Sequence, residues 1–392
     1  MQETTTGVLE ATASASGHPV FKAWPRYDSA SAGLRNYWYP VMFSRDLGKK
    51  PRPAKLCGEE LFLIRYEGRA YALQDRCPHR GVPLSPGRCE FAGTISCVYH
   101  GWTYDVRDGN LVAALTDGPA SPIVGKRNVQ VRTYPVEERA GIVFVYIGDG
   151  TPPPVEADIP EEILAPRTKV VGWFRRRKGN WRFACENGFD EGHANYLHRR
   201  VVWTWFRVMP GWREAHIERE GDWLVRVGDR PVWQSDYPGL GSWPPKPHFW
   251  QTVSRGRIRG SVRLPGWVRI ERPGWNAYEV FMGIDEGHYL SFMFLTKRTS
   301  PIGGFIFWLW YWLYRRWAYM GQFNSQDQWM IESMRIPPER LYRPDQSITT
   351  WRRLVNEEAR RADVTVSDEA TEVPAAVSET FTSLRGEGAA LR

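Results

Sequence analysis

Apolar and polar positions change their rhythm along this chain. Leu61 to Tyr66 and Arg69 to Leu73 are two short runs either side of Glu67-Gly68, which predicts two strands joined by a turn. Ile142 to Ile147, IVFVYI, is a continuous apolar run too short for a helix and predicts a buried strand. Val280 to Ile284 and Tyr289 to Phe294 predict a second strand pair joined near Asp285-Glu286-Gly287. Ser325 to Arg335 predicts a helix, with Ser325 and Gln328 as a capping box and Pro337 as its stop. Thr94 to Tyr99 predicts a strand between two loops rich in Gly and Pro.

One run fits neither rhythm. Phe305 to Tyr314, FIFWLWYWLY, has no polar group except tyrosine hydroxyls. Even with Ile302-Gly303-Gly304 it falls short of the roughly 20 residues that span a bilayer. It predicts a buried helix or a subunit contact in preference to a membrane-touching face. An apolar entrance for a greasy substrate is a third reading.

These patterns divide the chain. Residues 1–33 are small and polar and predict a flexible segment. Residues 34–154 predict a small all-β domain closed by Gly148-Asp149-Gly150-Thr151-Pro152-Pro153-Pro154. Residues 155–365 predict a mixed domain, and 366–392 a mobile tail. No internal repeat is visible.

With 392 residues and 42% apolar content the bulk is globular. Twenty Trp can line a pocket for a flat apolar ligand or fill a core. The net charge of +8 comes with no recognisable nucleic-acid motif. Its densest run, Arg175-Arg176-Arg177-Lys178, reads as a solvated face or as a docking patch for an acidic electron donor. Five scattered cysteines and no secretory signal argue against a disulfide framework and make the cytoplasm the expected compartment.

The chemistry is concentrated in CPHRGVPLSPGRCEFAGTISCVYHGW, residues 77 to 102. Cys77-x-His79 and Cys97-x2-His100 each place one thiol beside one imidazole. Zinc accepts two of each in a tetrahedron, but zinc fingers segregate their Cys pairs from their His pairs. A Rieske [2Fe–2S] cluster uses both ligand types from each loop. Cys89 lies in the same stretch without a partner. Further on, Asp190, His193 and His198 form D-x2-H-x4-H within ENGFDEGHANYLH. Two His and a carboxylate with open positions suit a mononuclear Fe(II) that binds O2. Asp190 and His193 share one helical face, whereas His193 and His198 are about 140° apart on a regular helix. Both can face one metal only if the helix ends or widens, and a π-bulge is the expectation.

Cys77-Pro78-His79-Arg80-Gly81 and Cys97-Val98-Tyr99-His100-Gly101-Trp102 resemble the Rieske motif of the ring-hydroxylating oxygenases. With LRNYWYPVMFSRDL, YPVEERAGIVFVYIGDG and ENGFDEGH, the chain is most similar to the angular-dioxygenase branch of that family, terminal oxygenases of the carbazole 1,9a-dioxygenase type. The resemblance covers nearly all of residues 34 to 362. It implies an α+β fold: a small all-β Rieske domain, then a catalytic domain whose antiparallel sheet is flanked by helices. It implies Cys77 and Cys97 on one iron of the cluster and His79 and His100 on the other. It implies His193, His198 and a later helix carboxylate on the mononuclear Fe(II). In Phe323-Asn324-Ser325-Gln326-Asp327-Gln328-Trp329-Met330-Ile331-Glu332 that carboxylate is Asp327, with Glu332 as its rival. Asp190 is then the bridge between a Rieske histidine and an iron-ligand histidine.

The resemblance also implies a homotrimer in which one subunit's cluster serves the next subunit's iron. No Gly-rich dinucleotide fingerprint is present, so electrons must come from a ferredoxin, a ferredoxin reductase or both. The expected reaction uses O2 to hydroxylate an apolar, aromatic or polycyclic substrate, with Trp203, Trp205, Phe206 and Phe281 as candidate pocket residues. Oxidative demethylation, steroid or lipid hydroxylation, and a non-catalytic electron carrier are the alternatives. Neither nucleic acid nor a membrane is an expected partner.

Overall fold

The computed structural model describes residues 12–13, 19–21, 23–190, 192–200, 215–228, 235–243, 259–334 and 339–360. Residues 1–361 form one compact unit. Trp203, Trp205, Phe206 and the 366–392 tail lie outside the described residues.

The first half is built from short antiparallel strands. Arg52–Leu56, Glu59–Tyr66, Arg69–Gln74 and Thr133–Tyr134 form one sheet. The expected hairpin is there, with Glu67 and Gly68 both at positive φ, as a tight two-residue turn requires. Ile142–Ile147 is buried at every residue because it is the central strand between Val136–Arg139 and Tyr37–Phe43. A third sheet of Thr94–Ser96, Trp102–Asp105 and Leu111–Ala114 carries the second Cys/His loop. Its first strand is shorter than expected, since Cys97 to His100 is already turning.

The second half is dominated by a seven-stranded antiparallel sheet ordered Thr168–Lys178, His288–Arg298, Trp275–Asp285, Trp267–Arg272, Arg259–Arg263, Trp223–Gly228 and Ala215–Glu220. The expected pair around Asp285-Glu286-Gly287 forms its second and third strands, a hairpin with both strands extended to eleven residues. Both faces of this sheet are covered. Helix Trp181–Phe189 belongs to the core on one side, with Trp267, Tyr278, Val280, Phe292 and Phe294. Helix Pro301–Trp310 packs Phe307, and the following Tyr311, against Val171, Ala277, Met293 and Leu295 on the other. The α+β expectation therefore stands.

The structure changes four expectations. The segment before residue 34 is packed rather than flexible at Phe21 and from Ala23 onward. Phe21 and Tyr27 are buried, the Trp181 indole donates to Ala30 O, and Arg182 donates to the carbonyls of Tyr27 and Asp28. Gly283 lies so close to this segment that a Cβ there would sit 2.1 Å from Ala32 O. Phe281 packs in the core against Gly188 and Val268 rather than lining a pocket. The FIFWLWYWLY helix is buried on one side only. Finally, Asn324–Ser333 has no capping box, because it continues directly from a π-helical stretch, Tyr311–Phe323. Ser325 Oγ donates back to Gln322 O within that continuous helix.

Candidate active site

The two Cys/His loops are built alike. In the first, Cys77 N–H donates to Val82 O and Gly81 N–H to Cys77 O. In the second, Cys97 N–H donates to Trp102 O and Gly101 N–H to Cys97 O. Gly81 and Gly101, each four residues after its cysteine, both take positive φ, which closes each loop at no steric cost. The cysteines are buried and the histidines lie toward solvent. Nδ1 of His79 and Nδ1 of His100 approach to 3.0 Å, so two imidazoles from separate loops aim at one point. Trp102 stacks on His79 with centroids 4.7 Å apart, and Tyr99 on His100 at 3.7 Å. Burial pushes the Cys77 thiol up, and the Tyr104 hydroxyl lies 3.3 Å from its sulfur. This donor set, with thiols inside and imidazoles outside, suits a cluster whose two irons carry different ligands. Cys89 is exposed and outside the set.

A second group converges in the larger sheet's half. Helix Trp181–Phe189 is capped by Asn180, whose side chain accepts from Arg182 N–H, and ends at Asp190. Asp190 then turns the chain. Its Oδ1 accepts from Gly192 N–H at 2.8 Å and its Oδ2 from His193 N–H at 3.1 Å. The same Oδ2 lies 3.2 Å from Nδ1 of His193. Helix Gly192–Tyr196 ends after five residues and tightens into a 3₁₀ turn, Leu197–Arg200. The expected π-bulge is thus absent between the histidines: the helix ends instead, having no long hydrogen-bond ladder to hold a bulge. The wide turns occur at 311–323, leading into the carboxylate.

His193, His198 and Asp327 place one donor atom each within 4.8 Å of one another. Asp327 Oδ1 is 3.0 Å from His198 Nε2 and 3.4 Å from His193 Nε2. That oxygen is buried and, despite these distances, has no well-aligned hydrogen bond among the described residues. Two imidazoles and a buried carboxylate facing one point fit a divalent metal of the Fe(II) type. Burial alone would raise the Asp327 pKa, but the two histidines hold it well below the usual carboxylate range. Burial likewise pulls His193 down, yet the hydrogen bond to Asp190 and the nearby Asp327 carboxylate prevail and push it up to about 9. Glu332 is not in the group: it is exposed and accepts from Gln328 at 2.6 Å.

Four participants escaped the sequence reading. Gln326 Oε1 lies 2.9 Å from His198 Nδ1. Adjacent helix residues point about 100° apart, so Gln326 and Asp327 do not share a face. The His198 ring lies between them and reaches each with one nitrogen. Phe323 stacks on that ring at 3.5 Å. Arg177 is buried and donates to Gln328 and Asn324, tying strand Thr168–Lys178 to the Asp327 helix. It is the one member of the basic run that is not a solvated charge. Tyr104 is the fourth. Gln326 stands next to the carboxylate in the chain, but nothing in the sequence marks it as a partner of His198.

Fold and donor sets together define an iron–sulfur oxygenase with a separate mononuclear iron. Residues 37–135 match the Rieske [2Fe-2S] domain, and residues 146–210 match the homotrimeric ring hydroxylase family. The carbazole 1,9a-dioxygenase terminal oxygenase component of Sphingomonas sp. is 35% identical over 86% of this chain and 95% of its own length. The counterpart from Metapseudomonas resinovorans is 34% identical over 86% and 94%. The solved terminal oxygenase of carbazole 1,9a-dioxygenase from Novosphingobium sp. KA1 superposes with a TM-score of 0.76 at 30% identity, covering 87% of this chain and 97% of that one. The chain belongs to the Rieske ring-hydroxylating oxygenases, in the family of these carbazole 1,9a-dioxygenase terminal components. It is a terminal oxygenase, and its cofactors are a Rieske [2Fe–2S] cluster and a mononuclear iron.

Proposed function

We propose that this terminal oxygenase hydroxylates an apolar aromatic or polycyclic substrate, with His193, His198 and Asp327 as ligands of the catalytic iron. The convergence of their three donor atoms within 4.8 Å carries the reading. Cys77 and Cys97 hold one iron of the cluster, and His79 and His100 the other. Residues 34–154 form the Rieske domain and 155–365 the catalytic domain. The solved relatives include complexes of the carbazole 1,9a-dioxygenase oxygenase with its ferredoxin. By that likeness a ferredoxin supplies the electrons here, and the working form is a homotrimer in the cytoplasm.

The iron supplies O2 activation, and two His plus one carboxylate leave it positions for O2 beside the substrate. The protein's part is to hold the ligands. Asp190 accepts the Nδ1 proton of His193, and Gln326 that of His198, which leaves both Nε2 lone pairs for the metal. Phe323 covers one face of His198. Arg177 fixes the helix that brings Asp327. Among the described residues neither His79 nor His100 hydrogen-bonds Asp190 within one chain. By the likeness to the homotrimeric ring hydroxylases, Asp190 bridges to a cluster ligand of a neighbouring copy and gives electrons a polar path between subunits.

The test is an iron and acid-labile sulfide assay with EPR before and after anaerobic dithionite, followed by single-turnover kinetics of Asp190→Asn. The expected result is a Rieske-type signal, more than two irons per chain, and a variant that keeps both centres but is slow to oxidise its cluster. Wild-type turnover by Asp190→Asn, or iron confined to the cluster, would sink the reading.

A further inference from the structure

The helix that begins at Pro301 has two unlike sides. Gly304, Phe307, Tyr311, Arg315 and Ala318 recur every three or four residues and are buried. Ile302, Phe305, Ile306, Leu309, Leu313 and Trp317 recur with the same period and face outward, with Ile302 and Leu313 each 76% exposed. An apolar stripe of this length facing water is costly, so it implies a partner. Trp312 and Tyr314 add exposed aromatic rings beside it.

The charge around the stripe has one sign. From Gly287 to Gln326 the chain has no Asp or Glu. At the helix start, the Lys169 stem packs against Gly304 and the Lys297 ammonium lies over the Phe307 ring at 5.9 Å. Further along, Arg316 lies over Trp312 at 4.4 Å and over Trp173 at 5.8 Å, with Arg175 over Trp173 at 3.9 Å. Cations thus border the far end of a surface of Leu, Ile, Phe and Trp, and Lys169 and Lys297 lie under its near end. That is the composition of a helix lying in the headgroup region of an anionic bilayer. No helix among the described residues is long and apolar enough to cross a membrane, so the contact is a shallow one.

We infer that the outer face of this helix docks the oxygenase peripherally on an anionic phospholipid surface. The same continuous helix runs on to Phe323 and Asp327, so docking holds the iron site's own wall against the lipid. Binding to vesicles is read without turnover, so this inference stands or falls apart from the ligand assignments.

The experiment is sedimentation of the full-length protein with vesicles of phosphatidylglycerol and phosphatidylcholine, and with phosphatidylcholine alone. Wild type is expected to pellet with the mixed vesicles. Ile306→Glu and Leu313→Glu should each lose on the order of tenfold or more in binding, the loss of one buried large side chain plus an added like charge. Arg316→Glu and Arg175→Glu should each lose about fivefold or more on the anionic vesicles. All four positions leave the core intact, and an unchanged cluster spectrum verifies folding. Wild type remaining in the supernatant with both vesicles would overturn the inference, as would equal binding to both. So would a smaller assembly of Leu313→Glu by light scattering, which would make the stripe a contact between copies.

Discussion

The two metal centres are assembled by opposite routes. The Rieske ligands lie within one stretch of chain, on two loops with the same closing hydrogen bonds and the same left-handed glycine. The mononuclear site joins a helix end near residue 190 to a second helix far along the sequence, and it depends on Arg177 and Gln326 to bring the parts into line. A locally templated site carries its geometry in its spacing. A site assembled over long range carries its geometry in residues that never touch the metal.

The strongest way to break this contrast is to remove one ligand from each centre. Asp327→Ala should lose product formation by more than about 100-fold, beyond the loss that disturbing an outer partner brings. Its cluster spectrum should be unchanged. Cys97→Ala should do the reverse, abolishing the visible spectrum while the mononuclear site still binds iron. If either change emptied both centres, the two would be one cooperative unit and the comparison would fail.

A smaller effect separates ligand from support. Gln326→Leu removes the acceptor behind His198 and should weaken iron binding by about 10- to 100-fold. Gln326→Glu, which keeps an acceptor, should recover most of it. Iron titration of the metal-depleted protein measures both, and equal loss in the two would show that the hydrogen bond is not what matters.

Next in size is a pH effect confined to the long-range site. In the iron-free chain the His193 pKa is raised to about 9, against an ordinary value of about 6.5. A raised value stabilises the iron-free fold fully below about pH 6.5, and that contribution is lost as pH rises through about 9. Iron needs the neutral ring, so its affinity should rise about tenfold per pH unit over the same window. Calorimetry of the iron-free protein and iron titration should therefore show opposite slopes, and parallel slopes would contradict the assignment.

The smallest expected effect concerns the local site. Tyr104→Phe deletes the hydroxyl beside Cys77 Sγ. Loss of one hydrogen bond to a charged sulfur, about 1.4 kcal/mol, corresponds to about 60 mV for one electron. The cluster potential should fall by that order in a redox titration, with all four ligands still bound.

The same contrast explains what the sequence revealed. Cys77, His79, Cys97 and His100 could be read from spacing alone, and IVFVYI announced its central strand. Asp327 needed the family resemblance, because a helix carboxylate with no neighbouring ligand looks like any solvated one. Gln326 was invisible because its helical face is not that of Asp327, and only the width of an imidazole joins them. The capping box at Ser325 failed because the signal assumes a helix that starts there, whereas the backbone arrives already wound from Pro301. The early segment misled for a different reason. Its polar composition hid Phe21 and Tyr27, which are anchored by Arg182 and Trp181 far along the chain.

Arg177 has a consequence for how this sequence can drift. Four basic residues in a row look interchangeable, and an observer counting charge would expect each to be replaceable by Lys or lost singly. Strand Thr168–Lys178 pairs with His288–Arg298 residue for residue over its whole length, so Arg175 and Arg177 share one side, and of the two it is Arg177 that the Asp327 helix covers. Arg175 and Arg176 are exposed, while Arg177 uses both arms of its guanidinium on Asn324 and Gln328. Lysine has one point charge and no fork, so the substitution that is mildest for its neighbours is severe here. Natural variation in the run should therefore admit Lys at the exposed positions and hold Arg at 177.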